Sequence, residues 1–228
     1  RTNGLETPWG QADIAAVAAM PAHGVLLPKV ESADAVRKAE AILNASGASP
    51  DMAIWCMIET PLGILNIKEI AQGSPRLGGF VMGTSDLAKD LHCLHTPERL
   101  PFITSLNMAV LAARAYGLAI LDGVHLDLSD DEGFAASCRQ GLELGFDGKT
   151  LIHPKTIDMA NDVFGPSDGE VARSKEIIAA FEAAQTEGKG VVVLDGKLVE
   201  NLHVENAKRI LALAGRIAEL AADRSAAA

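Results

Sequence analysis

The sequence predicts an α/β protein of the (β/α)8 TIM-barrel kind, and three observations carry that reading. Short runs rich in Val, Ile and Leu recur along the chain, each is followed by an amphipathic stretch of helical period, and their starts lie about 26 to 39 residues apart, the length of a βα unit. A composition of 48% hydrophobic, 22% charged and 4% aromatic residues over 228 positions suits one soluble, helix-rich α/β core.

The elements follow in order. Strands are expected at Gly24 to Val30, Ala53 to Thr60, Gly79 to Leu87, Leu118 to Leu126 and Asp147 to Pro154, with a strand end at Arg1-Thr2-Asn3. Thr60-Pro61 and Thr96-Pro97 read as a helix cap followed by a first-turn proline, and Ser129 with Glu132 and Ser167 with Glu170 have capping-box spacing. Gly117, Gly145 and Gly188 stand where helices should stop. Beyond Gly188 the pattern changes: Val191 to Leu194, Asp195-Gly196 and Lys197 to Glu200 form a tight hairpin, followed by a helix from about His203 to Ala222. The expected organisation is therefore a barrel domain over 1–188 and a hairpin-helix lid over 189–228. Five strands fall short of the eight that closure needs, so roughly two N-terminal βα units are expected to be missing and the barrel to be open.

Charge and cysteines exclude several functions. A net charge of -10 argues against nucleic acid or an anionic membrane as partner, since both require a basic surface. Cys56, Cys93 and Cys138 show neither disulfide nor zinc spacing and read as inert thiols in a reducing, cytoplasmic setting. No apolar run is long enough to span a bilayer.

Each run ends in a polar residue: Lys29, Glu59, Asp86, Asp122 and His153. In a barrel those ends converge on the face where chemistry is done. Glu59 and Asp86 end successive strands about 5 Å apart, so both carboxylates can reach one hard cation, magnesium being satisfied by one or two carboxylates plus water and substrate oxygens. The alternative reading is a pair of solvated strand-end acids. Gly83-Thr84-Ser85-Asp86 offers either a backbone cradle for a ligand carboxylate or a plain βα turn. Asp122 reads as structural support and Asp195 as a hairpin-turn residue.

Arg1-Thr2-Asn3, Leu27-Pro28-Lys29-Val30, Met57-Ile58-Glu59-Thr60, Met82-Gly83-Thr84-Ser85-Asp86-Leu87, Gly145 to Pro154 and Val193 to Glu200 together resemble the citrate lyase β-subunit-like (HpcH/HpaI aldolase/citrate lyase) family, and within it the malyl-CoA thioesterase group. The resemblance implies a barrel of the phosphoenolpyruvate/pyruvate type. Its activity would be magnesium-dependent hydrolysis of (3S)-malyl-CoA, with carbon–carbon cleavage of malyl-, β-methylmalyl-, citramalyl- or citryl thioesters, or a non-catalytic ligand-binding subunit, as alternatives. It further implies Glu59 and Asp86 as metal ligands, Arg1 as the group that stabilises the reacting carbonyl oxygen, and Gly83, Thr84, Ser85 and Asp86 as the cradle for the acyl carboxylate. His153-Pro154 would lie in a loop near CoA. Asp195 would be a catalytic acid or base on a lid contributed in trans within a homo-oligomer (dimer, trimer or hexamer) that binds an acyl-CoA substrate.

Overall fold

The structure, a computed structural model, describes residues 1–227. Two compact units divide the chain, residues Arg1–Ala160 and Asn161–Ala228. In the first, α1 (Gly10–Ala18) leads into β1 (Gly24–Leu27), α2 (Ala33–Ala45), β2 (Ala53–Ile58), the short α3 (Pro61–Leu65) and α4 (Ile67–Ile70), β3 (Leu77–Met82), α5 (Thr84–Leu91), α6 (Ile103–Ala115), β4 (Ala119–Asp122), α7 (Asp131–Leu144) and β5 (Gly148–Lys149). The unit boundary falls within α8 (Ile157–Phe164).

The five strands form one parallel sheet in the sequential order β1-β2-β3-β4-β5. That order never reverses, which is the winding of a barrel wall rather than of a doubly wound sheet with its switch point. The described strands leave the sheet open, with β1 and β5 at its two edges. Beyond β1, the Thr2 N–H donates to the Leu26 carbonyl at 3.1 Å, so the segment at Arg1 runs beside the end of that strand. Asn3 then anchors the following turn by donating from its N–H and its amide to Asp13.

Every strand expected from the apolar runs is present, but each ends sooner. The run through Leu87 stops being strand at Met82, because Gly83 opens α5, and Asp86 therefore stands in the first turn of a helix, not at a strand end. Core packing explains where strands persist: on β2, Ile54, Cys56 and Ile58 are fully buried while their neighbours face a less enclosed side, and β3 is buried almost throughout, as suits the centre of a parallel sheet. Helices cover the sheet through stripes of small and aliphatic residues at three- and four-residue spacing, Val36, Ala39 and Leu43 on α2 and Leu106, Ala109 and Ala113 on α6.

Helix punctuation is partly as the sequence implies. Thr60 caps α3, its hydroxyl accepting from the Gly63 N–H with Pro61 in the first turn. Gly117, Gly145 and Gly188 all adopt positive φ after helices. Two readings are corrected. No helix starts at Thr96-Pro97: Arg99 adopts φ +55° and engages Asp122, and the helix begins only after a 3-10 turn at Leu100–Phe102. Asp130, not Ser129, caps α7, because Ser129 donates its N–H and hydroxyl to Asp127 while Asp130 accepts from the Gly133 N–H.

In the second unit, α9 (Asp168–Thr186) opens with a complete Ser167–Glu170 capping box. It is followed by the hairpin of β6 (Val192–Leu194) and β7 (Lys197–Val199) and by α10 (Asn201–Ala227). Asp195 and Gly196 have φ of +53° and +74°, the left-handed pair of a two-residue hairpin turn. Phe181, Val199 and Val204 form a small core here, with Ile177, Ile178, Val192 and Leu194 around it. No described helix is long and apolar enough to cross a membrane.

Candidate active site

The first unit gathers Arg1, Lys29, Glu59, Gly83 and Asp86 at the C-terminal side of β1, β2 and β3. Lateral hydrogen bonds continue past the strands, from Val30 N–H to the Met57 carbonyl and from Gly83 N–H to the Ile58 carbonyl, so Glu59 is held between two neighbouring chain segments. The residue is only 4% exposed, and Oε1 accepts from the Lys29 N–H at 2.9 Å. Burial holds the Glu59 carboxyl above the usual carboxylate range and the negative charge of Asp86 adds to this, while the Lys29 N–H and the charges of Lys29 and Arg1 pull the other way.

Gly83 makes this arrangement possible. A Cβ there would lie 2.4 Å from Cβ and 2.5 Å from Oε2 of Glu59, so only glycine lets that carboxylate pass. The α5 helix that starts next has no side-chain cap, leaving the backbone of its first turn unclaimed by any capping side chain. Asp86 projects from that turn with 39% of its side chain exposed, and its Oδ1 lies 3.5 Å from Nζ of Lys29 and 3.9 Å from Nζ of Lys89.

Two carboxylates, one buried and one half-exposed, at neighbouring positions suit a hard divalent cation. Among the described residues no cluster of three or more His, Cys, Asp and Glu is assembled for a metal. Zinc and calcium ask for such a set, whereas magnesium needs only one or two carboxylates and completes its octahedron with water and ligand oxygens. Glu59 and Asp86, with the space Gly83 leaves beside Oε2, therefore fit magnesium.

The remaining candidates stand in different surroundings. Asp122, fully buried at the end of β4, accepts from Nη1 of Arg99 at 2.8 and 2.7 Å, from Nζ of Lys149 at 2.9 Å and from the Gly123 N–H at 2.8 Å. Burial pushes the Lys149 ammonium below the usual lysine range and Asp122 partly restores it. With its oxygens occupied, Asp122 has no capacity left for a ligand. His153 is exposed and caps the 3-10 turn Pro154–Thr156, its Nδ1 accepting from the Lys155 N–H. Thr84 is buried, with Oγ1 3.3 Å from Nε2 of His95. Asp195 lies in the second unit, 74% exposed at the hairpin tip, with Oδ2 accepting from Arg173 Nη1.

Sequence reasoning missed the roles of Arg99, Lys149 and Arg173. A detectable signal existed for one: Lys149 sits within an apolar run, where a charge needs a buried partner.

Known proteins carry the same arrangement of sequence. The HpcH/HpaI aldolase/citrate lyase family matches residues 1–154. The chain is 48% identical over 222 residues to a (3S)-malyl-CoA thioesterase of Cereibacter sphaeroides (strain ATCC 17025), covering 97% of this chain and 75% of that protein. It is 34% identical to the L-malyl-CoA/beta-methylmalyl-CoA lyase of the same strain, covering 92% and 74%. Among solved structures, the protein CitE from Mycobacterium tuberculosis in complex with magnesium, acetoacetate and coenzyme A superposes with a TM-score of 0.75 at 28% identity, over 94% of this chain and 77% of that one. A family match over two thirds of the chain, a TIM-barrel-type fold shared with that structure and near-complete coverage by a relative at 48% identity together establish that this chain belongs to the HpcH/HpaI aldolase/citrate lyase family.

Proposed function

We propose that this chain hydrolyses (3S)-malyl-CoA to malate and CoA in a magnesium-dependent reaction. One observation supports this choice above the others: identity is 48% to the thioesterase but 34% to the lyase, over similar lengths.

In this reading Glu59 and Asp86 hold the metal. Magnesium bound there would supply charge neutralisation and Lewis-acid polarisation to the malyl oxygens. The N–H groups of Thr84, Ser85 and Asp86 in the first turn of α5, approached over the bare Cα of Gly83, receive the acyl carboxylate, as a helix N-terminus favours an anion. Arg1 donates to the thioester oxygen and stabilises its developing negative charge. Asp195 accepts a proton from water, whose oxygen attacks the thioester carbon; the C–S bond then breaks and the CoA sulfur leaves with its electron pair. His153-Pro154 contributes to the CoA side. The proposal also includes a homo-oligomer in which the Asp195 hairpin completes a neighbouring subunit's site, and a cytoplasmic location, in keeping with free Cys56, Cys93 and Cys138.

The lyase resemblance supports a second reading, carbon–carbon cleavage of the same substrate to a thioester and glyoxylate. Thiol release from malyl-CoA, followed with glyoxylate assayed in parallel, separates the two. Stoichiometric thiol and malate without glyoxylate support hydrolysis; glyoxylate without free thiol overturns it.

A further inference from the structure

Lys29 holds a geometry that the proposed chemistry leaves unexplained. It adopts φ +48°, a left-handed conformation disfavoured for a residue with a Cβ. The other such non-glycine residues among those described have local reasons: His92 terminates α5, Asp195 makes the hairpin turn, and Arg99 precedes a 3-10 turn. Lys29 does none of these. Backbone strain of this kind persists where the surroundings fix it and is found at ligand sites.

Its polar contacts lead to the carboxylate pair. The Lys29 N–H donates to Oε1 of Glu59 at 2.9 Å, while Nζ of the same residue stands 3.5 Å from Oδ1 of Asp86. One residue thus touches both acids, one through its backbone and the other through its side chain. Other cations serve the pair less directly: Arg1 acts on Glu59 only through space, and Lys89 lies 3.9 Å from Asp86 but closer, 3.2 Å, to Asp90. The lysine ammonium is a compact charge on a flexible four-carbon stem, so it can leave without moving the backbone.

We propose that Lys29 is the resident counter-ion of Glu59 and Asp86, so that a divalent cation enters by displacing its ammonium while its strained N–H stays on Glu59 and keeps that carboxylate aimed. The inference rests on the metal reading above. It makes Lys29 a positioning residue with two separable parts, a backbone donor that aids metal binding and a side chain that competes with it.

Calorimetric titration with magnesium chloride tests this on the full chain. Lys29→Met and Lys29→Gln remove the ammonium and keep the N–H, so both should bind magnesium about three- to fivefold more tightly than the parent, the upper scale of a partly exposed ion pair. Lys29→Arg keeps the charge and should stay within about twofold. Where circular dichroism shows Lys29→Met or Lys29→Gln poorly folded, Lys29→Gly, which suits positive φ, takes their place with the same expectation. Parent binding with no tightening in the uncharged variants overturns the counter-ion role alone. A parent that binds no magnesium overturns the metal reading and this inference with it.

Discussion

Glu59 and Asp122 occupy equivalent places, at the C-terminal ends of two parallel strands, and both are almost wholly buried. Their surroundings differ in one respect. Asp122 is saturated by Arg99, Lys149 and the Gly123 N–H, whereas Glu59 accepts one backbone N–H and keeps Oε2 beside a glycine. The first is an ion network that closes the end of the sheet; the second is a buried carboxylate with coordination capacity to spare. Position along a barrel strand thus nominates a residue for chemistry, and the saturation of its oxygens decides whether it can perform any.

The largest expected effect comes from breaking the saturated site. Asp122→Ala leaves Arg99 and Lys149 as uncompensated buried cations and should cost about 3–5 kcal/mol in urea unfolding. Lys149→Met should cost less, about 1.5–3 kcal/mol, because Arg99 and the Gly123 N–H still satisfy Asp122. Equal costs for the two would mean that Asp122 is not the hub of the network.

A second test gives Glu59 a neighbour it has no room for. In Gly83→Ala the new methyl group would meet Cβ and Oε2 of Glu59 at 2.4 and 2.5 Å. The carboxylate must move, so stability should fall by about 1–3 kcal/mol. Magnesium affinity should fall about 10- to 100-fold, the scale seen when a ligand's orientation is lost. Unchanged metal affinity in a folded Gly83→Ala chain would show that Oε2 faces no metal.

The smallest effect is one of pH. Burial raises the Glu59 pKa, so on acidification this carboxyl takes up its proton before an exposed glutamate would, and only the ionised form binds a cation. Magnesium affinity should therefore weaken at a higher pH than in a pair of solvated carboxylates. Glu59→Asp, retested across the same range, should shift that limb if Glu59 sets it.

Much of this contrast was legible in the sequence, and the exceptions have physical causes. Apolar runs located all five strands, because each strand of the parallel sheet sets alternate residues into the core and the central β3 is buried almost throughout. The apolar stretch Phe80 to Met82 marks the strand, and of the two readings open for Gly83 to Asp86 the turn is the one found, so Asp86 stands in a helix rather than at a strand end; Gly83 makes the turn, and its small size serves Glu59 as much as the backbone. The structural role expected for Asp122 is the one found, yet its partners lie 23 residues before and 27 after it, and only the folded sheet brings them together. The positive φ of Lys29 had no sequence signal at all, because no glycine or asparagine marks it and its partners Glu59 and Asp86 are distant along the chain.

Glu59, unlike Asp122, is on this reading reserved for a metal that turnover requires. Magnesium titration by calorimetry on Glu59→Gln and Asp86→Asn, alongside malyl-CoA thiol release by the same preparations, tests it most directly. Stability should stay within about 1 kcal/mol of the parent, since neither acid holds the core together, with magnesium binding and turnover both lost. A folded Glu59→Gln chain that binds magnesium and releases thiol at the parent's rate would contradict it.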